Sequence, residues 1–187
     1  MTSGAHTDQA PRALLAEVAR QWPLYCRTRD GVEYHIRPIR ADDAERDCAF
    51  IKHLSDTSRY NRMMGLLREP SADLLDRLVH VDYRREMALA ALVGEAPTET
   101  IIGVARYGGP PAHCEFAIAV ADEWQSRGVG STLAHLLFSY AKGHGVRRLY
   151  ALTFAHNVQM LRLAEHMQMT MRRSSSDDAV VEAWRAL

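Results

Sequence analysis

Three apolar runs, 87–93, 101–107 and 114–120, follow one another with only turns between them. Each has the length of one strand. The separators are Gly94 to Thr98 and the break Gly108-Gly109-Pro110-Pro111. Neither is long enough to carry a crossover helix, so neighbouring runs must pair as antiparallel hairpins. After residue 120 the rhythm changes. A helix over 128–142 puts Val129, Leu133, Leu136, Leu137 and Tyr140 on one face and stops at Gly143 and Gly145. Residues 149–153 then read as a strand again. A strand–helix–strand unit makes a parallel pair. A chain holding both arrangements is of the α/β class, with a mixed, mostly antiparallel central sheet and helices on both faces.

The remaining segments fit around that sheet. Residues 34–39 read as a strand. Asp42-Asp43 opens a helix to His53, with Ala44, Cys48, Phe50, Ile51 and Leu54 as its apolar positions, and further helices are expected over 56–64 and 71–79. Ser71 suits an N-cap, and so does Asn157, ahead of a helix to His166. Residues 169–173 and 180–184 flank Ser174-Ser175-Ser176-Asp177-Asp178 as a closing hairpin. Near the start, Leu14, Leu15, Val18, Ala19 and Trp22 recur in a helical rhythm that Pro23 closes. The expected division is an arm over 1–33, partly disordered with this short helix, and one domain over 34–187. The arm packs on the domain in the simpler reading and touches a second copy in the other, so a monomer or a homodimer is expected.

Composition narrows the function classes. Lysine plus arginine equals aspartate plus glutamate at 23 each, so the overall charge supports neither a nucleic-acid nor a membrane partner. No apolar run approaches the ~20 residues of a spanning helix, and residues 1–9 lack a secretory pattern. Cys26, Cys48 and Cys114 are odd in number and far apart, which suits a reducing cytoplasm. None of the nine histidines falls in H-E-x-x-H or a Cys/His cluster, so no metal is expected.

The chemistry concentrates in one stretch. Glu115 to Val120 is a strand, and Gln125, Ser126, Arg127, Gly128, Val129, Gly130 and Ser131 lead from a loop into a helix. A helix start leaves backbone N–H groups unpaired and carries partial positive charge. Glycines there let a ligand reach the backbone, and the result suits a pyrophosphate, with Arg127 as an added charge. The dinucleotide fingerprint G-x-G-x-x-G fails, because Leu133 occupies the third glycine position, and the Walker pattern is absent. The pattern present is Q-x-x-G-x-G, from Gln125 to Gly130.

That pattern resembles the acetyl-CoA motif R/Q-x-x-G-x-G/A of the GNAT superfamily of N-acetyltransferases, whose order of elements also matches from about Tyr34 to Trp184. Three stretches resemble a narrower group, the bacterial GNAT protein-lysine acetyltransferases: Arg37-Pro38-Ile39-Arg40 with Asp42-Asp43, His53 through Tyr60, and Val81 through Leu89. Members of that group are often fused to a cyclic-nucleotide-binding or acyl-CoA-synthetase-like region. A chain of this length has no room for either, and regulation of that kind is not expected here.

The resemblance implies acetyl-CoA as acyl donor and an amine, a protein lysine first, as acceptor. It implies that the backbone of Ile118, Ala119 and Val120 pairs with the pantetheine arm, and that Gln125 to Ser131 cradle the pyrophosphate. Asn157 lies near the cofactor, and Arg59 and Tyr60 fall where the family builds its acceptor wall. It implies Glu115 as the base, with a backbone N–H near Ile118 stabilising the oxyanion. Alternation along the strand puts Glu115 on the side of Ala117 and Ala119, opposite Cys114. Cys114 is therefore read as a buried structural thiol, and Glu86 as a solvated charge. The family tyrosine acid is missing, since position 164 is alanine. The alternatives are a small-molecule N-acetyltransferase (polyamine, amino sugar or amino acid) and a non-catalytic acyl-CoA-binding regulatory module.

Overall fold

The computed structural model describes residues 22–65 and 70–187. The helix expected within the first 21 residues lies outside them. Among the described residues eight strands form one sheet in the order β1-β2-β3-β4-β5-β6-β8-β7. They are β1 (Leu24–Arg27), β2 (Glu33–Pro38), β3 (Met87–Val93), β4 (Thr100–Gly108), β5 (Cys114–Val120), β6 (Arg148–Phe154), β7 (Thr170–Arg173) and β8 (Val180–Ala186). Every pairing is antiparallel except β5 with β6. The mixed, mostly antiparallel sheet expected from the sequence is the one observed.

Among the described residues five helices cover the two faces: α1 (Ala44–His53), α2 (Asp56–Met63), α3 (Ala72–Val79), α4 (Val129–Gly143) and α5 (Val158–His166). The central strand β3 reads Met-Ala-Leu-Ala-Ala-Leu-Val and is buried on both faces, as an unbroken apolar run requires. On one face Leu89 and Ala91 meet Val129, Leu133 and Leu137 of α4. On the other, Ala90 and Leu92 meet Phe50 and Ile51 of α1. Burying a leucine of this kind is worth roughly 1.5–3 kcal/mol, so the two stripes hold the helices to the sheet.

Strand β1 has no counterpart in the sequence reading. It is four residues long, and its alternation of half-buried Leu24 and Cys26 with exposed Tyr25 and Arg27 is too short a signal to separate from a loop. Its register against β2, Leu24 opposite Ile36, places it.

The Arg37-Pro38-Ile39-Arg40 and Asp42-Asp43 stretch is structural. Arg37 is buried and grips Asp43 through two nitrogens, at 2.6 and 2.8 Å, and Glu99 at 2.6 Å. Asp43 also accepts the Arg40 backbone N–H at 2.8 Å. Burial opposes the charge on Asp43, but the Arg37 guanidinium outweighs it and holds the carboxyl below its usual range. This lock fixes the corner from β2 into α1.

Candidate functional site

The parallel pair β5–β6 is in register only at Cys114–Leu149 and Glu115–Tyr150. Beyond Glu115 the two strands part, while β5 stays paired with β4 up to Val120. A cleft of about 730 Å³ occupies the gap. It runs along β5 from Glu115 to the glycine loop, and five steps of ~3.3 Å make that on the order of 17 Å.

The backbone of β5 offers its free edge to this cleft. The Ala121 N–H donates to the Ile102 carbonyl on the β4 side, at 2.9 Å. By alternation Ala119 and Ala117 also face β4, whereas Ile118 and Val120 turn their N–H and C=O groups into the gap. The sequence reading takes Ile118, Ala119 and Val120 together. The pleat separates them, and the Ala119 backbone belongs to the sheet. The Val120 carbonyl is engaged as well, by the Gln125 side-chain amide at 3.1 Å. Within this run the Ile118 groups are left facing the cleft.

At the far end the chain enters α4. Gly128 is its N-cap with φ +97°, a conformation L side chains avoid, and no side chain caps the helix start. The N–H groups of Val129, Gly130 and Ser131 precede the first intrahelical bond, from Thr132 to the Gly128 carbonyl. A Cβ on Gly130 would meet only Val120 Cγ2, at an ordinary 3.5 Å, so the fold itself tolerates a side chain there. Such a side chain would intrude on the cleft that Gly130 lines.

The other expected residues fall as follows. Glu115, Gln125, Ser126, Ser131 and Asn157 line the cleft with Ile118, Ala119, Val120, Gly128 and Gly130. Val129 is fully buried under α4, and its side chain packs the core. Arg127 turns away: its Nε and Nη2 bond the Asp30 carboxylate at 3.0 and 2.5 Å, and its guanidinium lies 4.5 Å from the Trp124 ring centroid. Asn157 caps α5 by accepting the Met160 N–H at 3.2 Å, and its amide donates to Thr153 Oγ1 at 3.0 Å. Gln125 also donates to Ser58 Oγ at 3.2 Å, bracing the loop against α2. Asp122 does the same more strongly. It accepts the Ser55 N–H at 2.9 Å and the hydroxyls of Ser55 and Ser58 at 2.8 and 2.7 Å.

Glu115 is exposed at the end of the cleft where β5 and β6 are still paired. Its neighbours come from distant parts of the chain. Tyr150 is its register partner, and the Tyr150 hydroxyl is pushed up by burial and then by the Glu115 charge. His113 stacks on Tyr150 at 4.1 Å. Arg62 of α2 lines the same cleft and, on its other side, a small cavity of about 10 Å³ with Asp47 and Arg106. Burial and the nearby Arg106 push Arg62 down to about 10, with Asp47 and Glu115 opposing. The sequence reading names neither Arg62 nor Tyr150 for the site. No local pattern points to them, because the helix packing and the parallel register bring them in.

The acceptor-wall residues separate. Tyr60 stacks on Phe154 at 5.0 Å, and Phe154 stacks on His156, which lines the cleft. This aromatic row spans from α2 to β6 across the splay. Arg59 instead holds Asp56 and the carbonyls of Lys52 and Leu54. Glu86 is not among the residues lining the cleft and accepts the Asp82 N–H at 3.4 Å. Cys114 lies in the core on the α4 face, its thiol directed at the Gly109 and Pro110 carbonyls and pushed up by burial, which is the setting of an inert thiol. Ala164 is fully buried. Among the described residues no group of three or more potential ligands could hold a metal, and no helix is long and apolar enough to cross a membrane.

A free strand edge running into an uncapped helix start, with a carboxylate at the opposite end, defines a site for an extended donor ending in an anion. Residues 48–168 match the acetyltransferase (GNAT) family. An acetyltransferase of Pseudomonas aeruginosa is 34% identical over 154 residues, covering 81% of this chain and 83% of that protein. The acetyltransferase Pat of Mycolicibacterium smegmatis is 28% identical over 162 residues, and the match covers 82% of this chain but 48% of Pat. Among solved structures, the GNAT domain of S. lividans PAT superposes with a TM-score of 0.81 at 31% identity, covering 89% of this chain and 98% of that one. The chain belongs to the GNAT acetyltransferase family and is an acetyl-CoA-dependent acyltransferase.

Proposed function

We propose that this chain moves the acetyl group of acetyl-CoA directly to a primary amine, a protein lysine first among acceptors, with Glu115 as general base. One observation carries the reading. The β5–β6 pair parts immediately after Glu115, so the carboxylate stands at the mouth of the gap into which the free edge of Ile118 opens, three residues or about 10 Å further along β5.

A lysine amine has a pKa of about 10.4, and roughly fewer than one in a thousand is neutral at pH 7. Glu115 takes that proton, directly or through a water. The neutral amine attacks the thioester carbonyl and forms the C–N bond, and the Ile118 N–H holds the oxyanion that develops. Collapse breaks the C–S bond, and the nitrogen, which enters the tetrahedral intermediate as a neutral amine with two protons, releases one of them to solvent as the amide forms. The thiolate leaves with an ordinary thiol pKa of about 8.5 and takes its proton from solvent, so the missing tyrosine acid at Ala164 is tolerated. The thiol of Cys114 takes no part, and no acyl-enzyme forms.

The pyrophosphate rests on the N–H groups of Val129, Gly130 and Ser131, and Asn157 flanks the donor from α5. Among the described residues that line the cleft, only Glu115 and Asp122 are acidic, and Asp122 is taken up by serines. A polyamine would call for an acidic cage, so this end favours a single lysine. The three free cysteines suit the cytoplasm.

Calorimetric titration with acetyl-CoA tests the donor half, using wild type and a Gly128→Glu, Gly130→Glu double variant. Binding by wild type and loss in the variant support the site. No binding by folded wild type up to millimolar donor removes it. A panel of lysine peptides and small amines then tests the acceptor. Turnover of small amines alone sinks the protein-lysine reading, and turnover of none, with intact donor binding, leaves a regulatory acyl-CoA-binding module.

A further inference from the structure

The β1–β2 turn lies against the glycine loop. The Arg29 backbone N–H donates to the Arg127 carbonyl at 2.9 Å, and Asp30 takes the Arg127 guanidinium. Arg127, the arginine inside the Q-x-x-G-x-G run, is thus neutralised. Its hydrogen bonds hold the Asp30 carboxyl well below the usual carboxylate range. Arg29 is the reverse case. Its side chain makes no ion pair with any described residue, and it lies over the helix start: a Cβ on Gly128 would sit 3.7 Å from Arg29 Cγ and 3.9 Å from its Nε. It lines the same cleft as Gln125, Ser126, Gly130 and Ser131.

We infer that Arg29 is the phosphate-binding arginine of the donor site, supplied by the β1–β2 turn from outside the 48–168 segment that defines the family match. A guanidinium binds a phosphoryl group through paired, charge-assisted hydrogen bonds, and here the partner is the pyrophosphate or the ribose 3′-phosphate of coenzyme A. The short first strand thereby carries this arginine to the loop, while the Asp30–Arg127 pair pins the turn in place. The inference rests on the acetyl-CoA reading of the cleft.

The test titrates the full chain, as wild type, Arg29→Met and Arg29→Lys, with coenzyme A and with its 3′-dephospho form. Loss of a charge-assisted contact at this exposed position weakens coenzyme A binding by ~10-fold or more in Arg29→Met, with Arg29→Lys intermediate because it keeps a point charge. An equal loss for both ligands puts Arg29 on the pyrophosphate, and a loss confined to coenzyme A puts it on the 3′-phosphate. Either result supports the inference. Wild-type affinity in Arg29→Met overturns it, and so does a loss that lysine does not relieve at all. No binding by wild type itself overturns the donor-site reading instead, so the two failures are distinguishable.

Discussion

The two ends of the cleft are built in opposite ways. The proposed donor end is mostly continuous chain: β5, the loop through Gln125 and the start of α4 follow one another within about seventeen residues, Glu115 to Ser131. It presents backbone, namely the Ile118 edge and the N–H groups at the head of α4. The proposed acceptor end is assembled from pieces far apart in sequence. Glu115 from β5, its register partner Tyr150 from β6, and Arg62 from α2 come together there. The difference teaches that donor binding can be held on backbone geometry while acceptor choice is left to side chains on separate elements.

The contrast predicts that substitutions at the two ends separate kinetically. The largest effect belongs to Glu115→Gln. With a base worth ~10²–10⁴-fold, kcat falls by that factor while acetyl-CoA affinity, read by calorimetry, stays within about twofold. A parallel loss of donor affinity would erase the distinction between the ends.

The glycines sharpen it next. Gly128→Ala forces a Cβ into a φ of +97°, so it loses about 1–2 kcal/mol of stability, visible as a fall in Tm. Gly130→Ala meets only an ordinary contact in the fold, so its Tm stays within about 2 °C while acetyl-CoA affinity drops ~10-fold, because the added methyl intrudes on the cleft. Equal stability losses in both variants would show that the second glycine serves packing rather than the ligand.

The smallest effect concerns the latch between the ends. Burial alone would raise Asp122, but the Ser55 N–H and the Ser58 and Ser55 hydroxyls outweigh it and hold the carboxyl below its usual range. Because the folded value is the depressed one, the latch stabilises fully above about pH 4 and is lost as pH falls through that range. Asp122→Asn loses about 1 kcal/mol or less at pH 7, since the carboxylate is solvent-exposed, and flattens the acid limb of Tm against pH. An unchanged acid limb would mean that α2 and the loop are not coupled through Asp122.

Much of the donor end is legible in the sequence because its logic is local. Alternation puts Glu115 and Cys114 on opposite faces of one strand, and Cys114 lies in the α4-side core. The capping preferences of Ser71 and Asn157 mark helix starts that begin one residue later, at Ala72 and Val158. Arg127 misleads for a reason that is not local: its partner, Asp30, lies almost a hundred residues away and arrives only when β1 joins the sheet. Glu115 carries its meaning in the sequence through its place ahead of the loop, but its neighbours Tyr150 and Arg62 do not.

The sequence by itself determined the layered α/β architecture, the strand-loop-helix here proposed to receive the donor, and the family to which the chain is similar. Each follows from the spacing of apolar residues and glycines along a continuous stretch, where a few residues decide backbone conformation. Only the tertiary structure decided which backbone groups of β5 stay free, where β6 parts from β5, which arginine faces the loop and which is spent on Asp30. Those depend on register and packing between segments tens of residues apart, and no local spacing encodes the edge a strand leaves unpaired.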